Sequence, residues 1–328
     1  MNEPILTVEN LIKHFPVGKD TAVHAVDGVS FTINRGETLG LVGESGCGKT
    51  TVGRALLRLV EPDAGKVLMN GVNILTLGER ELYQMRKQMQ LIFQDPFNSL
   101  DPRKNVAQLI AEPLQIHKMG NKAEIRRRAL DLMQTVGLTE DLAGRFPHEL
   151  DGGRCQRIGI ARALALDPAF IVCDEPVSAL DVSIQAQILN LLQDLQQQRQ
   201  LTYLFISHNL AVVKHLSSRV VVMYLGKIME IATTRALFHD PRHPYTQALL
   251  HAIPEPTLRQ RRERIILSGD VPTPVNPPAG CRFAKRCQYA QAQCFERAPA
   301  LHDVGEGHMV ACDRGLSGKE GGGLCGRS

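Results

Sequence analysis

The segment GESGCGKT, residues 43–50, constrains the fold of this 328-residue chain more than any other feature. It matches the pattern G-x-x-x-x-G-K-[ST], in which glycines let the backbone curl until successive N–H groups face phosphate oxygens. The apolar run at residues 39–42 favours a buried strand before the loop, and residues 48–59 favour a helix after it. Because the N-terminal end of a helix attracts anions, the segment predicts an α/β domain that binds a phosphate-containing ligand.

Three further apolar runs support this fold class. They are typical of buried strands and lie at residues 169–173, 201–206 and 220–224. Between two of these runs, apolar residues fall at helical spacing, namely Ile184, Ile188, Leu191, Leu192 and Leu195. The pattern predicts a sheet of buried strands covered by helices.

Two segments depart from this alternation. The first begins with the turn-rich DPFNSLDPRK and continues with helical patterning, with Ile125, Leu132, Met133 and Val136 on one face and Gly137 placed to end the helix. After Pro254 several prolines and a group of cysteines follow. We therefore predict a main domain over residues 1–254 with a helical part at about 95–155, a C-terminal module over 255–314, and a disordered tail over 315–328.

Two carboxylates follow the apolar run that ends at Cys173. The ends of strands in such sheets lie where ligands bind, so Asp174 and Glu175 are expected beside the phosphate loop. Lys49 supplies a point charge for phosphates, whereas Asp174 suits the shell of a Mg²⁺ ion and Glu175 suits a general base that polarises water. An isolated pair of this kind is often a solvated strand end, but together with the loop it indicates nucleotide hydrolysis.

These motifs, in this order, resemble those of the ATP-binding-cassette (ABC) ATPase family over roughly residues 5 to 250. Gln94 resembles the family's Q-loop glutamine, His208 its switch histidine, and Phe15 the aromatic residue that stacks on adenine. A buried core side chain is the alternative for Phe15. Residues 178–181 match the D-loop, which carries signals between paired subunits, and Asn209 stands where the family commonly has aspartate, a departure of minor expected effect.

The resemblance implies an ABC-type P-loop NTPase fold, with a RecA-like core, a helical subdomain and an antiparallel β subdomain. It implies catalytic roles for Glu175, His208 and Gln94, and Mg²⁺ ligation by Thr50, Gln94 and Asp174. The residues that it implies for ATP binding are Phe15, Gly43, Glu44, Ser45, Gly46, Cys47, Gly48, Lys49, Thr50, Thr51, Gln94 and Asp174. The D-loop residues are Ser178, Ala179, Leu180 and Asp181.

The family's signature motif is altered in this chain. The family pattern L-S-G-G-Q is replaced by Leu150, Asp151, Gly152, Gly153 and Arg154. In the family, this loop binds the γ-phosphate held by the phosphate loop of the partner subunit. Aspartate is a good helix N-cap, but when ionised it accepts hydrogen bonds and repels a phosphate. We expect a weakened site for the partner's ATP, partly offset by Arg154, and hence a heterodimer; a tolerated variation with little effect is the alternative.

Four cysteines near the C-terminus form the pattern C-x5-C-x6-C-x17-C, at Cys281, Cys287, Cys294 and Cys312. Four thiolates suit a tetrahedral zinc ion or a [4Fe–4S] cluster, and the spacing does not decide between these and no metal. The segments RHPYT, residues 242–246, and NPPAGC, residues 276–281, resemble the peptide-importer branch of ABC ATPases. Some members of that branch carry an iron–sulfur cluster in this module, so the resemblance favours the [4Fe–4S] assignment.

The distribution of apolar residues disfavours a membrane-spanning or secreted protein. No run of 18 apolar residues occurs, and the N-terminal segment lacks the pattern of a secretory signal. The net charge of +4 is typical of a mixed solvated surface; weak attraction to an anionic membrane face or to nucleic acid is the alternative, and the charge alone does not decide between them. We expect no nucleic-acid partner. The resemblance implies a peripheral position on the cytoplasmic face of the cell membrane. It also implies a second, non-identical ABC ATPase, two transmembrane permease subunits and an extracytoplasmic solute-binding protein as partners.

The predicted function is ATP-driven import of di- or oligopeptides. Nickel and glutathione are alternative cargoes, because the ATPase itself does not contact the solute. A soluble ABC ATPase acting on ribosomes or DNA is a further alternative, but such chains commonly carry two cassettes, and this sequence contains one phosphate-loop motif. A non-hydrolysing regulatory subunit is disfavoured because Glu175 and His208 are both present.

Overall fold

The structure, a computed structural model, describes residues 3–252 and 272–314. The predicted disordered tail, residues 315–328, lies outside the described residues. The strands are β1 (Pro4–Pro16), β2 (Ala22–Asn34), β3 (Thr38–Val42), β4 (Ala64–Met69), β5 (Val72–Asn73), β6 (Met89–Ile92), β7 (Phe170–Asp174), β8 (Thr202–Ser207), β9 (Arg219–Tyr224), β10 (Lys227–Thr233), β11 (His302–Asp303) and β12 (Met309–Val310). The α-helices are α1 (Lys49–Leu56), α2 (Glu79–Met85), α3 (Val106–Ile116), α4 (Lys122–Thr135), α5 (Gly152–Leu164), α6 (Val182–Arg199), α7 (Leu210–Leu216), α8 (Thr234–His239), α9 (Pro244–His251) and α10 (Ala292–Glu296).

The described residues form two compact units, and the chain passes between them more than once. The first unit contains residues 3–4, 33–37 and 76–206. The second unit contains residues 5–32, 38–75, 207–252 and 272–314.

The first unit contains three parallel strands in the order β6, β7, β8. Met89 pairs with Phe170, and Phe170 pairs with Thr202. Every residue of β7 and β8 is buried, which is why these segments read as continuous apolar runs with no alternation. The apolar run at residues 169–173 was therefore correctly interpreted as a buried strand.

The predicted helical segment is present in the first unit, where α3 packs against both α4 and α5. The side chain of Asn121 accepts hydrogen bonds from the N–H groups of Ala123 and Glu124, and it caps the start of α4. The predicted apolar face is buried at Ile125, Leu132, Met133 and Val136. The predicted helix end is also confirmed, since Gly137 follows α4 with a φ of 72°, the left-handed conformation that glycine adopts without strain.

The second unit begins with an antiparallel sheet in the order β2, β1, β4, β5. Leu6 of β1 pairs with Met69 of β4, and a β-bulge interrupts this ladder between Glu9 and Ile12. In the same unit, β3 pairs in parallel with β9, and β9 pairs antiparallel with β10. The second unit therefore contains both parallel and antiparallel pairings.

The C-terminal described residues extend this unit. Strand β12 pairs antiparallel with β10, with Glu230 opposite Val310. Tyr224 of β9, Tyr245 of α9 and Phe283 form an aromatic cluster with ring centroids 4.7–5.4 Å apart. Aromatic rings in tilted or edge-on contact at this distance stabilise a core beyond their buried area. The described C-terminal residues, 272–314, are thus packed onto the unit that carries the phosphate loop.

One predicted helix was too long at its C-terminal end. The sequence favours a helix over residues 48–59, whereas α1 ends at Leu56. Arg58 has a φ of 49°, which no residue of a right-handed helix adopts. Among the described residues, no helix is long and apolar enough to cross a membrane.

Candidate active site

The phosphate loop joins the buried strand β3 to helix α1 in the second unit. Gly43 has a φ of 156° and Gly48 a φ of 104°. A Cβ atom at Gly43 would lie 2.2 Å from the carbonyl oxygen of Met223, and one at Gly48 would lie 1.9 Å from that of Ala25. The loop therefore curls against neighbouring backbone so closely that a side chain at either position would clash.

Lys49 is the first residue of α1 and is buried. Its Nζ donates to the carbonyl oxygens of Gly43 at 2.9 Å and Glu44 at 3.0 Å. The ammonium group therefore lies inside the curve of the loop. The next residues, Thr50 and Thr51, lie in the first turn of α1, the end of a helix that attracts anions.

Two side chains from distant parts of the second unit hold the second residue of this loop. The N–H of Glu44 donates to the hydroxyl oxygen of Tyr245 at 3.0 Å. The carboxylate of Glu44 accepts from Nη1 of Arg286 at 2.8 and 3.1 Å. Neither contact is predictable from the sequence, because Tyr245 and Arg286 lie 201 and 242 residues from Glu44 and no local pattern connects them.

Cys47 lies within the loop and is buried. Burial raises the pKa of its thiol above the ordinary value. The side chain is therefore a small apolar group that packs inside the loop.

The carboxylate pair predicted at the end of β7 lies in the first unit. Asp174 is buried at the last position of the strand. Glu175 follows it with a φ of 45° and donates its N–H to the carbonyl oxygen of Ile206 at 3.0 Å. Gln94 Nε2 donates to Glu175 Oε2 at 3.0 Å. The structure thus brings together two of the predicted catalytic residues, Gln94 and Glu175, by a direct hydrogen bond.

The D-loop residues follow this carboxylate in the same unit. The hydroxyl of Ser178 donates to the carbonyl oxygen of Glu175 at 3.1 Å. Asp181 occupies the N-cap position of α6. These contacts connect the backbone of Glu175 directly to the D-loop.

The predicted histidine and aromatic residues both lie in the second unit. His208 is exposed and follows β8. Asn209 accepts a hydrogen bond from the N–H of Ala211 at 3.0 Å and caps α7, a role that asparagine fills as well as aspartate. Phe15 is 38% exposed, with Lys13 Nζ 5.4 Å from its ring centroid. Its ring is therefore accessible and does not belong to the core.

The altered signature loop forms the start of α5 in the first unit. The carboxylate of Asp151 accepts a hydrogen bond from the N–H of Arg154 at 2.8 Å, so aspartate caps the helix. Arg154 Nε lies 3.5 Å from the other carboxylate oxygen. A Cβ atom at Gly153 would lie 2.7 Å from a methyl group of Ile184. The signature glycine at this position is therefore required for packing within the unit.

The four C-terminal cysteines line one cavity of the second unit, together with Phe283 and His243. The N–H of Cys281 donates to the carbonyl oxygen of Cys294 at 2.7 Å. Burial, and to a smaller extent the neighbouring thiols, raises the pKa of Cys281 to about 11. Among the described residues, no three of these sulfurs lie within 4.8 Å of one another.

A second group of possible metal ligands is better explained as an ion-pair cluster. His14, His24 and Asp27 lie within 4.8 Å of one another. The carboxylate of Asp27, however, is paired with the guanidinium of Arg282, and Lys227 Nζ lies 3.6 Å away. Two cations already neutralise this single carboxylate and would repel a metal ion. We therefore assign no metal to it.

Comparison with known families agrees with this geometry. The family described as "ABC transporter" matches residues 26–178, and the family described as "Oligopeptide/dipeptide transporter, C-terminal region" matches residues 229–294. The chain is 52% identical to "Putative oligopeptide transport ATP-binding protein YkfD" of Bacillus subtilis over 94% of this chain and 95% of that protein. It is 50% identical to "Oligopeptide transport ATP-binding protein AppF" of the same organism over 94% of this chain and 97% of that protein.

Solved structures show the same fold. The dimeric ATP-binding cassette MJ0796, in a post-hydrolysis state with ADP and phosphate, matches with a TM-score of 0.64 and 29% identity, over 70% of this chain and 99% of that chain. The predicted ABC ATPase fold with mixed α/β sheets is thereby confirmed. The chain belongs to the ABC ATPase family, among the ATP-binding proteins of oligopeptide and dipeptide transporters.

Proposed function

We propose that this chain hydrolyses ATP to power the import of di- or oligopeptides, as one of two ATPase subunits on the cytoplasmic face of the membrane. The observation that carries the proposal is the phosphate loop with Lys49 inside its curve, followed in the chain by the C-terminal region typical of peptide transporters. A phosphate loop alone is common to many NTPases, and the C-terminal region narrows the class.

The roles of the site residues follow from their chemistry. The loop amides and Lys49 bind the phosphates, and Phe15 offers an accessible ring on which adenine can stack. Thr50, Gln94 and Asp174 would hold a Mg²⁺ ion through oxygen atoms, the ligand type that this ion prefers, and the ion would neutralise charge on the phosphates. Glu175 accepts the proton of the attacking water, and its hydrogen bond from Gln94 orients the carboxylate. His208 contacts the γ-phosphate.

Partner subunits follow from the family and from exposed apolar side chains. Phe97 and Ile116, in the helical part of the first unit, are both about half exposed. Exposed apolar side chains of this kind suit a protein partner. We assign this surface to the contact with two transmembrane permease subunits, and we assign delivery of cargo to an extracytoplasmic solute-binding protein. We also propose that residues 1–254 form the nucleotide-binding domain and that residues 255–314 form the C-terminal module.

Uptake by reconstituted vesicles tests this function. The reconstituted complex contains this chain, its partner ATPase, the two permeases and the solute-binding protein. Vesicles with this complex should transport a labelled dipeptide only when ATP is supplied on the side of the membrane that carries the two ATPases. Nickel and glutathione serve as the alternative cargoes in the same assay. Accumulation of either of them in place of peptide would overturn the cargo. Co-purification with ribosomes or DNA, and not with membranes, would overturn the transporter role.

We further propose that this subunit works in an asymmetric heterodimer. Asp151 places a negative charge at the start of α5, where the family's signature loop binds the partner's γ-phosphate. Its carboxylate accepts the N–H of Arg154, so the anion site at this helix end is filled by the protein's own side chain. The site that uses this chain's own phosphate loop would be completed by the partner's signature and is not weakened. Asp151→Ser in the reconstituted complex tests the asymmetry.

We propose that the four cysteines hold a [4Fe–4S] cluster. Four thiolates on one zinc ion, at a Zn–S distance of 2.3 Å, would lie about 3.8 Å apart, a spacing that no three of these sulfurs meet within the described residues. A cluster takes one thiolate on each of four irons, so its ligands stand further apart. When bound, it would cross-link a segment with little regular structure. Its ligands would be Cys281, Cys287, Cys294 and Cys312.

Anaerobic purification tests this assignment. The protein should be brown, absorb near 400 nm, and contain about four irons per chain. Cys294→Ser should lose the absorbance, whereas Cys155→Ser, at a buried cysteine of the first unit, should keep it. A colourless protein without iron would overturn the cluster, and one zinc per chain would replace it with the alternative ion.

A further inference from the structure

Arg286 connects the phosphate loop to the four-cysteine segment, the residues from Cys281 to Cys312. Its Nη1 donates to both carboxylate oxygens of Glu44, at 2.8 and 3.1 Å. The Arg286 side chain is 9% exposed, so water screens this ion pair less than it would at an open surface. The same nitrogen lies 3.4 Å from the hydroxyl of Tyr224.

The backbone around Arg286 is tied to two of the cysteines. Ala284–Arg286 form a single 3-10 turn, in which the N–H of Ala284 donates to the carbonyl oxygen of Cys281 and the N–H of Cys287 to that of Ala284. The turn therefore begins at one cysteine and ends at the next. A displacement of either cysteine changes the position of the turn, and Arg286 lies inside it.

A movement of the cysteine segment would also reach Glu44 through an aromatic contact. Phe283, between Cys281 and the turn, packs edge-on against Tyr224 at 5.4 Å and makes a tilted ring contact with Tyr245 at 5.3 Å. The hydroxyl of Tyr245 accepts the N–H of Glu44. Both the backbone and the side chain of Glu44 are therefore held by groups that pack on the cysteine segment.

Glu44 in turn contacts the residue that binds phosphate. Its carbonyl oxygen accepts a hydrogen bond from Lys49 Nζ. A shift of the Glu44 backbone thus alters the position of the ammonium group and the direction of the loop amides. A 1 Å misplacement of such groups is enough to weaken binding.

We propose that Arg286 is a positioning residue through which occupancy of the four-cysteine site sets the affinity of the phosphate loop for ATP. The inference rests on the proposed function, since it requires that the loop bind ATP and that the cysteines hold a group. The cysteine site then acts on nucleotide binding, beyond stabilising its own segment. Arg286 does not touch the nucleotide, so it acts through Glu44.

The matched variants are Arg286→Gln and Lys285→Gln. Each removes one positive charge from the same turn, but Lys285 is exposed. The full chain is purified anaerobically, and the Kd for MgATP is measured by displacement of a fluorescent ATP analogue, before and after the iron is removed. Contacting residues commonly couple strongly enough to change an equilibrium by about fivefold.

We expect iron removal to raise the wild-type Kd about fivefold. Arg286→Gln should start at that higher Kd and show no further rise, whereas Lys285→Gln should behave as the wild type. In steady-state hydrolysis, Arg286→Gln should raise the KM for ATP and leave kcat nearly unchanged. Because Arg286→Gln could lower expression, Glu44→Gln provides a second route, since it removes the same ion pair from the other side.

The possible results distinguish a failure of this inference from a failure of the proposed function. An Arg286→Gln protein with the wild-type Kd, or one that still responds fully to iron removal, overturns the coupling and leaves the proposed function intact. A wild-type chain without iron overturns the cluster and the coupling to it, and equal Kd values for Arg286→Gln and Lys285→Gln then overturn the positioning role as well. A wild-type chain that does not bind MgATP overturns both the proposed function and this inference.

Discussion

Replacing Asp151 should strengthen the ATP site of the partner subunit. Asp151→Asn removes the charge and keeps a good N-cap, and Asp151→Ser restores in addition the hydroxyl of the family's signature. Both variants should leave α5 intact, because asparagine and serine also accept the N–H of Arg154 that aspartate accepts now. The two variants therefore separate the effect of charge from that of the hydroxyl.

The size of the repulsion between Asp151 and the partner's γ-phosphate depends on how well water screens the two charges. Two unit charges about 4 Å apart repel by about 4 kcal/mol at an effective dielectric of 20 and by about 1 kcal/mol in bulk water. The Asp151 side chain is 61% exposed in the single chain, so we take the lower value as the minimum effect. Arg154, 3.5 Å away and itself exposed, offsets little of it. Removal of the charge should therefore tighten ATP binding about fivefold, and the serine hydroxyl should bring the gain to about tenfold.

The assay uses the reconstituted complex of both ATPases with their permeases. The partner's catalytic glutamate is retained, and this chain carries Glu175→Gln, so that turnover reports the partner's site alone. The Kd and the turnover at that site are then compared among wild type, Asp151→Asn and Asp151→Ser. Equal values for all three would refute the electrostatic argument. A gain in Asp151→Ser without any in Asp151→Asn would assign the defect to the missing hydroxyl and not to the charge.

The other predictions concern this chain alone. Glu175→Gln should lower ATP hydrolysis by at least about 100-fold, because a general base contributes that much or more, while the Kd for ATP stays within twofold; phosphate release and equilibrium binding measure the two. Gly48→Ala should lower the free energy of unfolding by about 2 kcal/mol or more, because its Cβ would lie 1.9 Å from a carbonyl oxygen at a φ of 104°. Gly46→Ala, where φ is 78° and no atom lies within 4 Å, should lose only about 1 kcal/mol in the same denaturant titration; equal losses would contradict this account. Cys155 should resist alkylation by iodoacetamide at pH 8 in the native protein, since burial raises the pKa of its thiol to about 11; mass spectrometry showing rapid labelling would contradict it.

Most of the fold could be predicted because its signals are local. The buried strands β7 and β8 appear as unbroken apolar runs, and α4 carries its own capping asparagine, apolar face and terminating glycine within one short segment. The pairing partners could not be predicted in this way. Strand β12 joins β10 across about 80 residues, and no periodicity in a two-residue strand specifies such a pairing.

The candidate site divides in the same manner. The phosphate loop and the Asp174–Glu175 pair were predicted because their chemistry needs certain residues at a fixed spacing. The resemblance implied catalytic roles for Gln94 and Glu175, but the hydrogen bond between them was not predicted, because the sequence alone gives no geometry. The accessibility of Phe15 was left open by the sequence, since an aromatic residue in a strand suits either the core or a ligand.

Glu44 was the hardest position to interpret, for a physical reason. It occupies one of the four unspecified positions in G-x-x-x-x-G-K-[ST], which vary because the loop binds phosphate mainly through its backbone. A side chain that the ligand does not use is free to serve the protein, and here it forms the partly buried ion pair with Arg286. Unspecified positions in such a loop therefore carry information about what holds the loop in place. In this chain Glu44 shows that residues far along the sequence, Tyr245 and Arg286, hold the phosphate loop in place.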